Sequence, residues 1–256
     1  MKSRLTILGL AAATAILPRL SAQVAAPANE TDPLDDYGAY DSVAVNDPLE
    51  PVNRAVFTFN DVVYEHVLWP VARGYERAVP ADLRTGVNNV FNNVRYPVRL
   101  VSSLLQGKPG RAAQETSKFI VNTTVGMGGL FRVSDGMPAL ANVPAEDLGQ
   151  TFGAWGIGHG PYLVLPVFGG MSSRDLVGRV GDAYVSPLGW KYVEWDSRRW
   201  TDDWGWEAGT AITVTEAISS LPGGLHLYRE MKSSALDPYI AVRDGTISYR
   251  NEQVAR

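Results

Sequence analysis

The feature that most constrains the fold of this sequence is a set of segments that begin with proline and end with glycine. Pro97 and Pro109 each begin such a segment, and the segments end at Gly107 and Gly126. Proline suits the first turn of an α-helix, where its missing N–H would be unpaired anyway, and glycine suits the residue after the last turn. The pattern predicts one helix within each pair of residues, and it favours an all-α fold class with a single helical domain.

Apolar periodicity and capping residues predict the other helices. The first runs from Asp47 toward His66, with Asp47 as its cap acceptor and with Val52 and Phe59 on one apolar stripe. The others cover residues 80–94, 145–155, 172–184, 204–220 and 224–234, and a last one begins at residue 237. Residues 156–161 hold three glycines and a proline, which predicts irregular structure, and residues 162–165 are too short to classify.

The first 22 residues have the features of a signal peptide. Lys2 and Arg4 precede an apolar run over residues 5–17, and a small-residue cleavage pattern ends at Ala22, with Ala28 as the second choice. A retained helical anchor is the alternative, although the run is shorter than the ~20 residues that cross a bilayer. We expect export through the inner membrane.

Residues 23–46 are predicted to be an acidic disordered tether, and residues 47–256 the helical domain. Seven acidic residues and no basic ones lie between residues 23 and 53. After cleavage at residue 22, 20 of the 23 basic residues and all 27 acidic ones remain. This net negative charge argues against a nucleic-acid partner.

The residues supply no recognisable catalytic or metal-binding pattern. There is no cysteine, and none of His66, His159 and His226 stands at a metal-ligand spacing from another. No serine lies in a GxSxG elbow, and Ser172 with Ser173 is better explained as a helix cap than as a nucleophile. The sequence therefore indicates a protein that is not an enzyme.

Aromatic residues concentrate in one segment. Five of the seven tryptophans, Trp190, Trp195, Trp200, Trp204 and Trp206, fall within seventeen residues. Indole rings favour the boundary between a bilayer and water, so the cluster is either a membrane contact or a packed helical corner. A second apolar pair, residues 119–121 and 127–131, is predicted to be a helix followed by a hairpin, assigned to the core with membrane contact as the alternative.

Several segments together resemble one known family. They are residues 47–60 (DPLEPVNRAVFTFN), 122–130 (NTTVGMGGL) and 146–166 (EDLGQTFGAWGIGHGPYLVLP), followed by Gly169, residues 173–175, residues 237–239 and Arg243. In order and spacing they resemble the MlaA (VacJ) family of outer-membrane phospholipid-transport proteins. Nothing between residues 192 and 220 can be aligned with the family. The motif positions interpreted as structural are Asp47, Pro48, Asn53, Arg54, Phe57, Asn60, Asp237, Pro238 and Tyr239.

The resemblance implies a ring-like helical assembly in the inner leaflet of the outer membrane, with an amphipathic channel that opens to the outer leaflet. Such a ring works beside a trimeric porin and passes mislocalised phospholipid to a soluble periplasmic lipid carrier, which maintains outer-membrane lipid asymmetry. It uses no cofactor. An envelope scaffold that binds porin without transferring lipid is the alternative, and a lipid-cleaving enzyme is a third class of function.

One departure from the family concerns anchoring. Family members are lipoproteins held through an N-terminal cysteine, and this sequence contains none. We therefore expect either an apolar and aromatic belt or a porin partner to hold the chain at the outer membrane. A peripheral or periplasmic position stays open as well.

The candidate lipid path surrounds the glycines of residues 156–160. It comprises Phe152, Trp155, Gly158, Gly160, Tyr162, Leu163, Leu165 and Phe168. The alternative is that these glycines let helices pack closely. Arg54 and Arg174 are candidate contacts for lipid phosphate as charge-assisted donors, with structural roles as the alternative.

Overall fold

The structure is a computed structural model that describes residues 45–189 and 205–256. Its helices are α1 (Glu50–Val63), α2 (Trp69–Ala78), α3 (Ala81–Val94), α4 (Tyr96–Leu105), α5 (Pro109–Thr124), α6 (Pro138–Ala141), α7 (Leu148–Ala154), α8 (Ser173–Val185), α9 (Gly205–Ser233) and α10 (Pro238–Ala255). A π-helical segment (Tyr64–Leu68), a 3-10 turn (Val133–Gly136) and the strands β1 (Tyr162–Leu165) and β2 (Gly169–Ser172) complete the described elements. The predicted all-α fold class is confirmed.

The first predicted helix is longer than expected and begins later. It starts at Glu50 and continues through the π-helical segment and α2 to Ala78. Leu49 precedes it and makes no side-chain cap, so the assignment of Asp47 as the cap was wrong. The carboxylate of Asp47 accepts instead from Asn53 and Tyr239. The fold also begins before Asp47, because the carbonyl of Asn46 accepts the N–H of Tyr162.

Two short strands interrupt the helical chain. β1 and β2 form an antiparallel pair with Tyr162 opposite Ser172 and Leu165 opposite Gly169. Residues 162–165, which periodicity left unclassified, are thus a strand. The turn between the strands holds Val167 at a φ of 69°, in the left-handed region that disfavours a β-branched residue.

The helices at the C-terminal end differ from prediction in one respect. Residues 204–220 and 224–234 were predicted as two helices, but α9 is continuous through Pro222. Proline removes one backbone hydrogen bond, and nearby Asn88 donates from its side chain to the carbonyl of Ser219 at 3.0 Å. The predicted helix start at Asp237 is confirmed, since its carboxylate accepts the N–H groups of Tyr239 and Ile240.

Side-chain caps fix the helices around the hairpin. Asp147 accepts the N–H of Gln150 at the start of α7. Ser172 caps α8 by accepting the N–H of Asp175, which confirms its predicted role as the cap. The carboxylate of Asp175 accepts from the hydroxyl of Ser172, in place of the backbone N–H contact of a capping box. These caps set the directions of α7 and α8, which pack against each other.

Apolar packing is divided into two small clusters. The first joins Tyr64, Ala72, Leu221 and Leu225, and so ties the first helix to α9. The second joins Tyr162, Val164, Tyr239 and Ile247, and so ties β1 to α10. Within residues 45–189 and 205–256, no helix combines the length and apolar character needed to cross a bilayer.

Several predictions fall on residues outside these ranges. The signal peptide, the tether up to residue 44 and four of the five clustered tryptophans lie there. Trp206 belongs to α9 by its backbone, and its side chain is not described.

Candidate functional site: an apolar outer face over a polar interior

Polar and charged side chains occupy much of the buried interior. The most deeply buried ionisable residues are Glu115, Glu146, Asp147, Asp175, Glu216 and Arg174. Charged residues are almost never fully buried unless they are paired. Ion pairs satisfy them here, for example between Arg95 and Glu216 and between Arg99 and Glu115.

Helix α5 shows this polarity in its sequence spacing. Its buried residues are Ala112, Glu115, Lys118 and Asn122, which recur every three or four positions and therefore share one face. A helix that packs on an apolar core would show hydrophobic residues at that spacing. The inward face of α5 is thus polar and charged.

The outward face of the first helix is apolar. Val52, Phe59, Val62 and Val67 are each more than half exposed, and Val71 continues the same face into α2. Val52 and Val71 are about 30 Å apart along the helix at ~1.5 Å per residue. The stripe predicted from the sequence comprised Val52, Val56, Phe59 and Val63, and only part of it faces outward. Val52 and Phe59 are exposed, whereas Val56 and Val63 are half-buried and Val56 packs against the second apolar cluster.

Two further elements expose apolar side chains. On α8, Val177, Val180 and Tyr184 are exposed at a helical spacing of three and four residues. Around the end of α5, Ile120, Val125, Met127 and Phe131 are exposed. The assignment of residues 119–121 and 127–131 to the core was therefore wrong for Ile120, Met127 and Phe131, because the inward side of α5 is taken by polar residues.

Two asparagines of α1 occupy the free edge of β1. Asn53 donates to the carbonyl of Tyr162 at 3.0 Å and accepts the N–H of Val164 at 2.9 Å. Asn60, two turns later, donates to Leu165 at 2.9 Å and accepts the N–H of Val167 at 2.6 Å. Each side-chain amide stands in for the missing neighbouring strand. The Asn-x6-Asn spacing was the sequence signal for this contact.

Asp47 and Arg54 join the helix start to α10. The carboxylate of Asp47 accepts from Asn53 at 2.8 Å, from the hydroxyl of Tyr239, and from Arg243 at 3.4 Å. Arg54 forms ion pairs with Glu50 at 2.8 Å and with Asp237 at 2.9 Å. The motif residues at 47–60 and 237–239 therefore meet in space. The structure places the Arg54 guanidinium on protein carboxylates, with its side chain 40% exposed.

Phe57 and the two motif prolines complete this region. The ring of Phe57 lies edge-on to that of Tyr239, with centroids 5.7 Å apart. Pro48 is exposed in the turn before α1, and Pro238 stands in the first turn of α10.

Arg174 lies in a buried ion cluster with Asp175, Arg250 and Asp147. Arg250 bonds to both oxygens of Asp147 at 2.9 Å and to Asp175 at 2.8 Å. Burial raises the pKa of Asp175, but the charges of Arg250 and Arg174 and the hydrogen bonds from Arg250 and Ser172 outweigh it and hold that pKa below its ordinary value. Arg174 is 7% exposed and reaches Asp175 and the carbonyl of Ile157, each at 3.4 Å.

Glu146 anchors another polar contact that sequence reasoning did not single out. It is 1% exposed and accepts from Gln106 at 2.8 Å, from Lys108 at 3.2 Å and from Arg111. All three partners lie 35 to 40 residues before Glu146 in the sequence, so no local pattern indicated the contact.

The glycines of the candidate lipid path differ in their surroundings. A side chain at Gly156 or Gly158 would meet nothing within 4 Å, so close helix packing does not explain these two. Gly160 has a φ of 64°, and a Cβ there would lie 2.3 Å from the hydroxyl of Ser173. The backbone conformation therefore requires glycine at Gly160 and leaves room at Gly158.

The remaining path candidates are divided between surface and core. Trp155 is 53% exposed, and its indole N–H donates to the carbonyl of Leu105 at 3.0 Å. Phe152 lies beside it at 5.9 Å between ring centroids. Leu163, Leu165 and Phe168 are half-buried, whereas Tyr162 is 2% exposed and packs in the second apolar cluster.

The histidines are held by ordinary contacts, and the described residues hold no group of three or more metal-ligating side chains. His66 bonds to the carbonyl of Val62, and His159 to Asn251. His226 packs against the ring of Trp69 at 4.9 Å.

A model of the MlaA lipoprotein family matches residues 45–253. The chain belongs to this family. The match covers every helix of the description except the last residues of α10. The expected membership is confirmed, and the match includes residues 205–220 of α9, which could not be aligned by inspection.

Relatives in the MlaA family carry one recurring name. The "Intermembrane phospholipid transport system lipoprotein MlaA" of Haemophilus influenzae is 30% identical over 213 residues, which cover 81% of this chain and 78% of the relative. The protein of the same name from Escherichia coli is 32% identical over 202 residues, covering 78% and 74%. A solved structure reported as "Structural basis for maintenance of bacterial outer membrane lipid asymmetry" matches with a TM-score of 0.64 and 30% identity, covering 82% of this chain and 99% of the solved one.

Proposed function

We propose that this protein transports phospholipid at the outer membrane without catalysing a reaction. It removes mislocalised phospholipid from the outer leaflet through an amphipathic channel and passes it to a soluble periplasmic lipid carrier. The relatives named for intermembrane phospholipid transport support the substrate class. The observation that carries the proposal is the reversed polarity of the helices, with Phe59 and Val62 outward and Glu115 and Lys118 inward.

Reversed polarity suits a protein that is surrounded by lipid. An exposed apolar helix face in water marks an interaction surface, and in a bilayer the same face is in its preferred solvent. A headgroup that crosses the bilayer needs a polar path, because polar groups are costly to bury without partners. The apolar outer face holds the protein in the membrane, and the polar interior carries the headgroup.

The acyl chains need protection when the lipid leaves the membrane. Each methylene exposed to water costs about 0.8 kcal/mol, so ten of them cost about 8 kcal/mol. A path with one apolar wall lowers this free-energy cost of exposing the acyl chains, and it needs no chemical reaction to do so. Phe152, Trp155, Leu163 and Phe168 supply such a wall beside the open glycine at 158.

The protein works in the cell envelope beside a trimeric porin, on the periplasmic side of the outer membrane. The apolar face of α1 and α2 and the exposed tip at Val125 and Met127 give it two membrane contacts. Membrane binding through these faces does not require a lipidated cysteine.

Lipid analysis of the purified chain tests the proposal. The mature chain is isolated from the envelope fraction in a mild detergent, and bound lipid is extracted and identified by mass spectrometry. Intact two-chain phospholipid at near-stoichiometric amounts is the expected result. A folded sample without phospholipid would contradict the proposal and favour the porin-bound scaffold. Lysophospholipid or free fatty acid that accumulates with time would indicate a lipid-cleaving enzyme instead.

A further inference from the structure

Lys118 is a buried lysine that has no ion-pair partner within residues 45–189 and 205–256. It is 9% exposed on the inward face of α5. The other lysines in the described ranges, Lys108 and Lys232, are paired with Glu146 and Asp61. Lys118 forms no hydrogen bond or ion pair with any residue that the structure describes. Taking an ammonium group partly out of water is unfavourable, and an ion pair would offset that cost.

The charges around Lys118 leave one positive charge over. The charged groups that act on it are Glu115, Arg99, Arg132 and Asp135. Glu115 is bound by Arg99 at 2.5 Å, and Asp135 by Arg132 at 3.1 Å. Each of these carboxylates therefore has its own guanidinium partner, and among the described residues no carboxylate is left to pair with the ammonium of Lys118.

Burial, together with two neighbouring guanidinium groups, lowers the affinity of Lys118 for its own proton. Burial lowers the pKa of Lys118, the charge of Glu115 opposes this, and Arg99 and Arg132 lower the pKa further. An anion that binds beside Lys118 would raise this pKa again, because an opposite charge within a few ångström favours the charged form of the lysine. The positive charges of Lys118, Arg99 and Arg132 would thus attract a negatively charged group to this position.

We propose that Lys118 binds the phosphate oxygen of a singly charged phosphate group, supplied by a phospholipid headgroup that passes through the polar interior. This inference rests on the transport function proposed above. A phosphodiester carries one negative charge, which equals the excess at Lys118. The exposed tenth of the residue gives the ligand access, and a lysine binds phosphate as a point charge on a flexible stem.

Binding of short-chain lipids by the full chain in a non-ionic detergent tests the site. The probes are dihexanoylphosphatidylglycerol, dihexanoylglycerol (which lacks phosphate) and inorganic phosphate, measured by calorimetry. The variants are Lys118→Met, which keeps the stem and removes the charge, and Lys118→Arg, which keeps the charge. Lys232→Met is the matched control, because it removes a lysine that already has a partner.

We expect Lys118→Met to weaken binding of the phospholipid at least about tenfold, the effect of one charge-assisted hydrogen bond. Lys118→Arg and Lys232→Met are expected to bind within about threefold of the parent chain. Dihexanoylglycerol should bind both the parent and Lys118→Met equally. If inorganic phosphate competes with the phospholipid and Lys118→Met abolishes that competition, the site also accepts free phosphate. If inorganic phosphate does not compete, the site is restricted to the lipid headgroup.

Unweakened binding of the phospholipid by a folded Lys118→Met variant would overturn the site and leave the transport function intact. Failure of the parent chain to bind any phospholipid would instead count against transport itself. If Lys118→Met does not fold, the ammonium resonance of Lys118 is followed by NMR in the parent chain and assigned with Lys118→Arg. No shift on addition of the phospholipid would then overturn the site.

Discussion

Asn60 holds Val167 in a left-handed backbone conformation. The side-chain oxygen of Asn60 accepts the N–H of Val167 at 2.6 Å, and the hydroxyl of Tyr64 donates to its carbonyl at 2.8 Å. Val167 therefore keeps a φ of 69° because two residues of the first helix satisfy both of its backbone groups.

Replacing Asn60 tests this support. Asn60→Leu leaves the N–H of Val167 and the carbonyl of Leu165 without partners. Each unsatisfied buried group costs about 1–3 kcal/mol, so we expect the free energy of unfolding to fall by about 2–5 kcal/mol. Chemical denaturation measures it. The control is Asn92→Leu at an exposed position of α3, with an expected change within about 0.5 kcal/mol. Equal effects of the two changes would contradict the contact.

A charge on the apolar face of α1 is expected to release the protein from membranes. Val62 is 54% exposed, so Val62→Asp removes little packing and should leave the thermal unfolding temperature nearly unchanged. A carboxylate in the bilayer core costs about 2.5–3.5 kcal/mol, which lowers vesicle binding about 100-fold. Flotation with phospholipid vesicles measures binding. Thr85→Asp, at an exposed polar position of α3, should bind as the parent chain does. Full binding by Val62→Asp would count against this face.

The two glycines at 158 and 160 should respond differently to substitution. A Cβ at Gly158 would meet no atom within 4 Å, so Gly158→Trp is expected to retain stability while the lipid path narrows. We expect lipid transfer between vesicles to slow at least about tenfold, an increase of about 1.4 kcal/mol in the barrier. Gly160→Ala is expected to cost about 1–2 kcal/mol of stability, because alanine is strained at a φ of 64°. Unchanged transfer by folded Gly158→Trp would remove this loop from the path.

Arg250 should control stability in acid. Arg250→Met leaves Asp147 and Asp175 short of a buried partner and is expected to cost about 3–5 kcal/mol. The pKa of Asp175 lies below its unfolded value, so its contribution is present above about pH 4 and is lost as the pH falls through the folded pKa. Without Arg250 that pKa rises, and the acid unfolding midpoint should move to higher pH. Circular dichroism between pH 2 and pH 7 measures it, with Arg256→Met as the exposed control.

Local sequence signals predicted the helices well where caps and glycines set their ends. Pro109 and Gly126 bracket α5, and Ser172 with Asp175 begins α8, because these contacts form within one turn. Pro222 misled the prediction, since tertiary packing of Leu221 and Leu225 keeps α9 continuous across it. A proline in a sequence indicates the loss of a local backbone hydrogen bond, but it does not indicate whether tertiary packing compensates for that loss.

The candidate site was less accessible to sequence reasoning. Periodicity located Val52 and Phe59 on one stripe, but it does not say whether a stripe faces the protein interior or the surface. Asn53 and Asn60 resolve the question only through partners more than 100 residues away. Asp47 was assigned as a local cap because the sequence around it gives no sign of its hydrogen bond with the distant Tyr239.

The π-helical segment from Tyr64 to Leu68 sets the relative rotation of the two halves of the first helix. A π-turn holds one residue more than an α-turn, and each residue advances an α-helix by about 100°. Deleting one residue there would restore a regular helix and turn everything beyond it by that angle. Trp69 would leave the guanidinium of Arg229, which now lies 3.6 Å from its ring centre. This single extra residue therefore keeps the exposed apolar side chains of both halves on one side of the helix while α2 packs on α9.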